Sequence, residues 1–242
     1  MPKVHVLFRK EELDRERLPG KAVLVVDVLF ATSSIATALA HGAAEVVPML
    51  DGAAVLAEAA RRPPGTTVLS GELDAVTLEG FAHPTPLALA ALDLRGRSVL
   101  YSTTNGTVAL AKAAPAAHVY AAALLNGEAV VDHLERACGD ATVLVVCSGS
   151  ADHFNIEDFY GAGYLVSLLA RSGRRELTDA ARAARELHDR MEPLECLLQG
   201  RVGRMMQAFG LVQEVEYAAQ RGRLDVVPLL EAGALRRAQG PR

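Results

Sequence analysis

VLVVDVLFATSSIATAL, residues 23–39, is the stretch on which the fold turns. Residues 23–28 form an apolar, β-branched run broken only by Asp27, the pattern of a parallel strand buried on both faces. After Phe30 the residues become small and hydroxylic, then helix-forming, up to His41 and Gly42, where glycine supplies a left-handed cap. The stretch therefore reads as a strand, a tight polar turn and a helix. It leaves Asp27 near the strand's end and Thr32, Ser33 and Ser34 in the first turn of the helix. Unpaired N–H groups and a partial positive charge at a helix N-terminus suit a phosphate or carboxylate. An Asp beside them suggests a cation bridging protein and anion. The competing reading is that Asp27 or Ser33 only caps the helix.

Working outward, residues 4–8, 45–50, 66–70, 98–101, 118–122 and 141–147 read as further strands. Helices are expected over 52–62 (stopped by Pro63 and Pro64), 87–92, 107–114, 127–138 and from 156 onward. Residues 73–86 show no period and read as a loop held by Gly80, Pro84 and Pro86. Beyond Arg171 the periodicity predicts helices over 178–191, 194–209 and 212–220. Residues 224–230 read as a final edge strand, because Pro228 argues against a central position. Alternating strands and helices predict a three-layer α/β/α fold with a mostly parallel sheet and a helical C-terminal part. The expected organisation is one α/β domain over 1–242, or two close lobes, with a mainly helical segment from about 172. Strands 23–28, 98–101 and 141–147 are expected side by side, their C-terminal ends facing one crevice.

Composition narrows the function. Half of the 242 residues are hydrophobic and 22% are charged, which describes a packed protein and not a disordered one. A net charge of −4 gives no footprint for nucleic acid or an anionic membrane. Apolar runs are too short for a transmembrane helix, and the charged start lacks a signal-peptide core. Cys138, Cys147 and Cys196 are odd in number and lack metal-ligand spacing, which fits a reducing cytoplasm.

The polar residues gather at one kind of position. Asp27, Glu72, residues 102–105, Asn126 and residues 148–152 all follow predicted strands, the edge that lines the ligand crevice of an open parallel sheet. Each has a local excuse, such as Asn126 capping the next helix, but one shared site explains them together. The edge is rich in oxygen: the carboxylates Asp27, Glu72, Glu157 and Asp158 stand among hydroxyl and amide groups. Hard oxygen ligands suit Mg²⁺ and a phosphate ester. The seven histidines form no zinc pattern, and neither GxxxxGK[ST] nor a GxGxxG after the first strand occurs. A cysteine phosphatase needs Arg six residues after its nucleophile; after Cys147 that position is His153. An aspartyl-phosphate enzyme usually has a second Asp two residues after the first, and Leu29 stands there.

Several motifs resemble those of the 2-phosphosulfolactate phosphatase family. VDVLFATSS (26–34) resembles its VDVLRATTT, Gly71-Glu72-Leu73 its GER, and GFAHPTP (80–86) its GFDLGNSP loop. TTNGT (103–107) matches directly, SGSADHFNIEDFYGAG (148–163) resembles its small-residue turn and LEDF, and 225–228 its closing DVVP. The resemblance implies a Mg²⁺-dependent enzyme hydrolysing 2-phospho-3-sulfolactate to 3-sulfolactate, on the route to coenzyme M. It implies Asp27, Glu72, Glu157 and Asp158 as acidic site residues, with Asp27 and Glu72 on the metal. Residues 103–107 (Thr103, Thr104, Asn105, Gly106, Thr107) would cradle the phosphate, joined by Thr32, Ser33, Asn126 and Ser148. The chain departs from the pattern at Phe30 and Leu73, where the family has arginines able to clamp an anion with two charge-assisted bonds. Two readings follow: a phosphatase of a small anionic ester, possible as a homodimer, or a diverged member that keeps the fold and binds a small ligand without phosphatase activity.

Overall fold

A computed structural model describes residues 1–239; the last three residues of the expected 1–242 domain lie outside them. At its centre is β2 (Ala22–Val26), every residue of which is buried. Alternation along the strand splits these side chains between two cores. Ala22, Leu24 and Val26 enter one and Val23 and Val25 the other, which is why the run reads as continuously apolar. The following helix α1 (Ala31–Ala40) is buried along nearly its whole length. Its hydroxyl groups tolerate this because each bonds a carbonyl: Ser33 to Val28 (2.9 Å), Ser34 to Pro84 (2.7 Å) and Thr37 to Ser33 (2.8 Å).

β2 lies between two parallel neighbours, β7 (His118–Ala122) and β8 (Val143–Cys147). Beyond β8 come β1 (Lys3–Leu7) and the short β9 (Glu176–Leu177), also parallel. A second parallel group holds β3 (Glu45–Met49), β6 (Ser98–Ser102) and β4 (Thr67–Leu73), with β5 (Val76–Thr77) folded back antiparallel on β4. A C-terminal hairpin, β10 (Pro228–Glu231) and β11 (Ala234–Arg237), joins the two groups antiparallel, pairing Leu229 with Tyr120 and Leu235 with Val46. The order is β5-β4-β6-β3-β11-β10-β7-β2-β8-β1-β9.

Helices cover both faces, completing three layers. α1, α3 (Pro86–Ala90) and α4 (Gly106–Ala113) pack on one side. α5 (Gly127–Cys138), α6 (Ile156–Ala170), α7 (Asp179–Arg190), α8 (Pro193–Gln199), α9 (Arg201–Ala208) and α10 (Val212–Ala218) pack on the other. The remaining helix, α2 (Gly52–Ala59), is capped by Asp51, which accepts from the Ala54 N–H at 2.7 Å.

The topology corrects several expectations. β6 is not beside β2; four strands separate them, so their ends approach by sheet curvature and helix packing and not by pairing. Residues 224–230 do not form an edge strand. Their C-terminal part opens the hairpin in mid-sheet, with Pro228 at the first strand position, where a missing N–H is tolerated. The loop 73–86 contains β5, and the helix expected over 194–209 is two, divided at Gly200, whose backbone is extended (φ −65°, ψ 161°).

Candidate active site

Asp27 leaves β2 buried and tied to its own turn. Its N–H donates to Thr32 Oγ1 (3.0 Å), that hydroxyl donates back to the Asp27 carbonyl (2.9 Å), and Asp27 Oδ1 accepts from the Ala31 N–H (3.3 Å). Gly106, the first residue of α4, presses against the same group. A Cβ there would lie 2.3 Å from the Ala31 Cβ and 2.7 Å from Asp27 Oδ2, so only glycine allows the approach. The N-terminal ends of α1 and α4 therefore meet at one carboxylate, each with its partial positive charge.

The turn before α4 is braced internally. The Thr103 N–H donates to Thr107 Oγ1 (3.2 Å), and the Thr107 N–H donates to Thr103 Oγ1 (3.3 Å). Glu72 fixes it from β4: Oε1 accepts from the Thr104 N–H (2.7 Å), and Oε2 from the Thr104 hydroxyl (3.1 Å) and the Ala75 N–H (2.6 Å). The last bond holds Ala75 and its neighbour Asp74 at φ 65° and 50°, a left-handed turn unfavourable for both. Gly71 allows β4 to reach β6, since a Cβ there would sit 2.5 Å from the Ser102 carbonyl.

A third turn, after β8, closes the site. Asp158 accepts from the Val28 N–H (3.0 Å) and the Gly149 N–H (3.1 Å), stitching the turns after β2 and β8 together. Lys10, absent from the sequence reading, is buried between them. Its ammonium donates to Asn105 Oδ1 (3.1 Å) and the Ser148 carbonyl (3.3 Å) and pairs with Glu11 (3.1 Å).

These turns line a cleft of about 280 Å³. Its lining includes the polar residues Asp27, Glu72, Thr103, Thr104, Asn105, Ser150, Asn155 and Arg201 and the apolar residues Leu29, Phe30, Val202, Met205, Met206, Phe209 and Leu211. The other expected site residues stand behind this surface. Thr32, Ser33 and Thr107 are buried in helix starts, and Gly106 and Ser148 back the floor. Asn126 is fully buried, bonding Ala121, Ala123 and Val226. Glu157 and Asp158 are buried on α6 outside the lining. Phe30 faces the cleft, whereas Leu73 is 60% exposed and does not line it. Arg201, Asn155 and the apolar wall escape sequence reading because α9 and the β8 turn reach the cleft only through tertiary packing.

Negative charge is concentrated here. Burial, with the charge of Glu72 adding to it, pushes Asp27 up to about 6 against the helix-turn hydrogen bond and Lys10. Burial pushes Glu157 up to about 7, with the Asp27 charge adding to the shift. Asp158 is raised too, by burial and then by Asp27 and Glu157. Both Glu157 oxygens are buried without a hydrogen-bond partner among the described residues. Cys147 is fully buried behind the floor, and burial holds its thiol well up, which removes it as a nucleophile.

The donor set fits a hard cation. Asp27 Oδ2 takes no hydrogen bond among the described residues, and Asn155 Oδ1 is buried in the cleft wall without a partner. Glu72 uses three of its roughly four acceptor sites on the loop, leaving one. No group of three or more His, Cys, Asp or Glu side chains among the described residues is arranged to hold a metal.

Comparison with known proteins gives a consistent result. Residues 7–233 match the family described as 2-phosphosulpholactate phosphatase. A protein of Carboxydothermus hydrogenoformans named "Probable 2-phosphosulfolactate phosphatase" is 38% identical over 229 residues, 93% of this chain and 92% of the relative. Proteins of the same name from Symbiobacterium thermophilum (36% over 222 residues; 90% and 94%) and Clostridium perfringens (33% over 229 residues; 93% and 92%) are similar over the same extent.

Proposed function

This chain belongs to the 2-phosphosulpholactate phosphatase family, and from that premise we propose that it hydrolyses a phosphate monoester in the cleft at Asp27, releasing an alcohol and inorganic phosphate. The observation that supports this most directly is the meeting of two helix N-termini, α1 and α4, at one buried carboxylate. The N–H group of Asn105, which lines the cleft at the open end of α4, has no acceptor among the described residues and is free to donate to a phosphate oxygen. Arg201 offers the cleft a guanidinium that grips an anion in two places. Lys10 holds Asn105 and the turn after β8 in register, so these donors are positioned before substrate arrives.

Magnesium is the cofactor of this reading: Asp27 would hold it through Oδ2, with Glu72 and Asn155 as further oxygen donors. When bound, it supplies Lewis-acid polarisation of the phosphoryl group and offsets the site's negative charge. Asp27 would hold the cation as a carboxylate, a form that burial disfavours in the metal-free protein and a bound cation favours. The family's 2-phosphosulfolactate is the first ester to assay, and the three free cysteines fit a reducing cytoplasm. The test is phosphate release from a panel of monoesters with Mg²⁺ and with chelator. Release that requires Mg²⁺ is expected. Silence across the panel, with Mg²⁺ and with Mn²⁺, would leave the family's alternative, ligand binding without hydrolysis.

A further inference from the structure

The cleft has two ends of unlike chemistry. One carries Asp27 and the N-termini of α1 and α4; Arg201, also in the lining, stands at the start of α9. The other is built by α9 and its exit turn: Met205, Met206, Phe209 and Leu211, with Phe30 facing them from the start of α1. The wall is formed by particular backbone features. Gly210, at φ +71°, turns the chain between α9 and α10, and the Leu211 N–H donates to the Met206 carbonyl at 2.9 Å. This sharp turn places Phe209 and Leu211 on the same rim. Phe209 is 58% exposed, a large aromatic surface left in water beside a polar catalytic end. A carboxylate or sulfonate facing Phe30 and the methionines loses water without gaining a hydrogen bond from them.

Resting on the phosphatase reading above, we propose that the substrate is a phosphate monoester whose organic part carries an apolar alkyl or aryl group, seated against Phe30, Met205, Met206 and Phe209. The phosphoryl group sits at the Asp27 end and the hydrocarbon at the α9 end. Methionines suit this role because their unbranched, polarisable side chains adapt to the shape of what they cover. Each methylene taken from water into this wall is worth about a fourfold gain in binding.

The test uses two series on the full chain. Calorimetry measures binding of n-alkylphosphonates, from methyl to hexyl, which cannot be hydrolysed; phosphate release is measured with the matching n-alkyl phosphates and Mg²⁺. The dissociation constant is expected to fall about fourfold per added methylene, with kcat/KM rising in parallel. Phe209→Ala and Met205→Ala, both at partly exposed positions that tolerate truncation, should flatten the dependence to less than about twofold per methylene. Binding that does not improve with chain length, or improves equally in both variants, overturns the proposal. Chain-length-dependent binding without any phosphate release keeps the apolar seat and overturns the phosphatase reading. Release with no chain-length dependence does the reverse. Failure of every phosphonate to bind, with no phosphate released from any alkyl phosphate, overturns both.

Discussion

Asp27 is pulled in opposite directions by folding and by chemistry. In the metal-free protein its ionisation shifts from 3.8 in the free group to about 6, chiefly through burial. Between those values the native state keeps a proton that the unfolded chain has lost, so stability falls as pH rises through this window and the full cost is present above about pH 6. By the size of the shift the cost is at most about 3 kcal/mol. Asp27→Asn should therefore raise the melting temperature at pH 8 by roughly 2–4 °C for each kcal/mol recovered, with little effect at pH 4. Phosphate release should fall by at least about a hundredfold. Scanning calorimetry in chelator, at both pH values, checks the first part; a variant less stable at pH 8 would contradict the charge argument. Phe30 sets a second prediction. Because it lines the cleft, Phe30→Arg should raise kcat/KM for 2-phosphosulfolactate about tenfold or more. Leu73→Arg should change it by less than about twofold, since Leu73 points to solvent. Equal gains from both would show that Leu73 reaches the substrate after all. Sequence motifs located Asp27 and Phe30, because each sits in a strand–turn–helix unit whose local pattern is strong. They did not separate Phe30 from Leu73, since the side a strand end faces depends on neighbours that the motif does not contain.

Among elements, the three turns that follow β2, β6 and β8 behave as one unit: Asp158 joins the first to the third and Lys10 the second to the third. The partners of Lys10 lie 95 and 138 positions away in the chain, so no local signal could reveal its burial. The sequence shows only a lysine in the charged run after β1. Lys10→Met should cost about 2–4 kcal/mol, because Asn105 and the Ser148 carbonyl lose their donor and Glu11 its partner. It should also move the acid limb of the pH–rate profile upward, because Lys10 is the cation that favours ionised Asp27. Stability and the limb are read separately; a variant that is merely less stable, with its limb unmoved, would confine Lys10 to a structural role. The same long-range logic explains the helical wall. Val202 and Met206 repeat at helical spacing and read as ordinary core residues, and part of each is core. That the rest of α9 borders the cleft follows from its position over the β8 turn, which Arg201 touches through the Ser150 carbonyl at 3.5 Å.

Across the whole molecule, the layers and the parallel pairing were readable from apolar strands alternating with helices, and the run of residues 23–28 marked a strand buried on both faces. The strand order was not, because pairing is decided by which edges meet and not by any one strand. Residues 224–230 show the difficulty: Pro228 is a sound argument against a central ladder position, yet it occupies the strand's first residue and leaves the pairing with β7 to Leu229. The hairpin of β10 and β11 carries a further consequence. It follows the other strands in chain order, yet among the described residues it alone hydrogen-bonds the two parallel groups into one sheet. Until it docks, β3 and β7 each expose a bare row of amides to any passing chain. The two groups nevertheless share one hydrophobic core under α1 and α4, to which Val23, Val46, Val99 and Val119 all contribute, so the hairpin completes by hydrogen bonds what packing already joins.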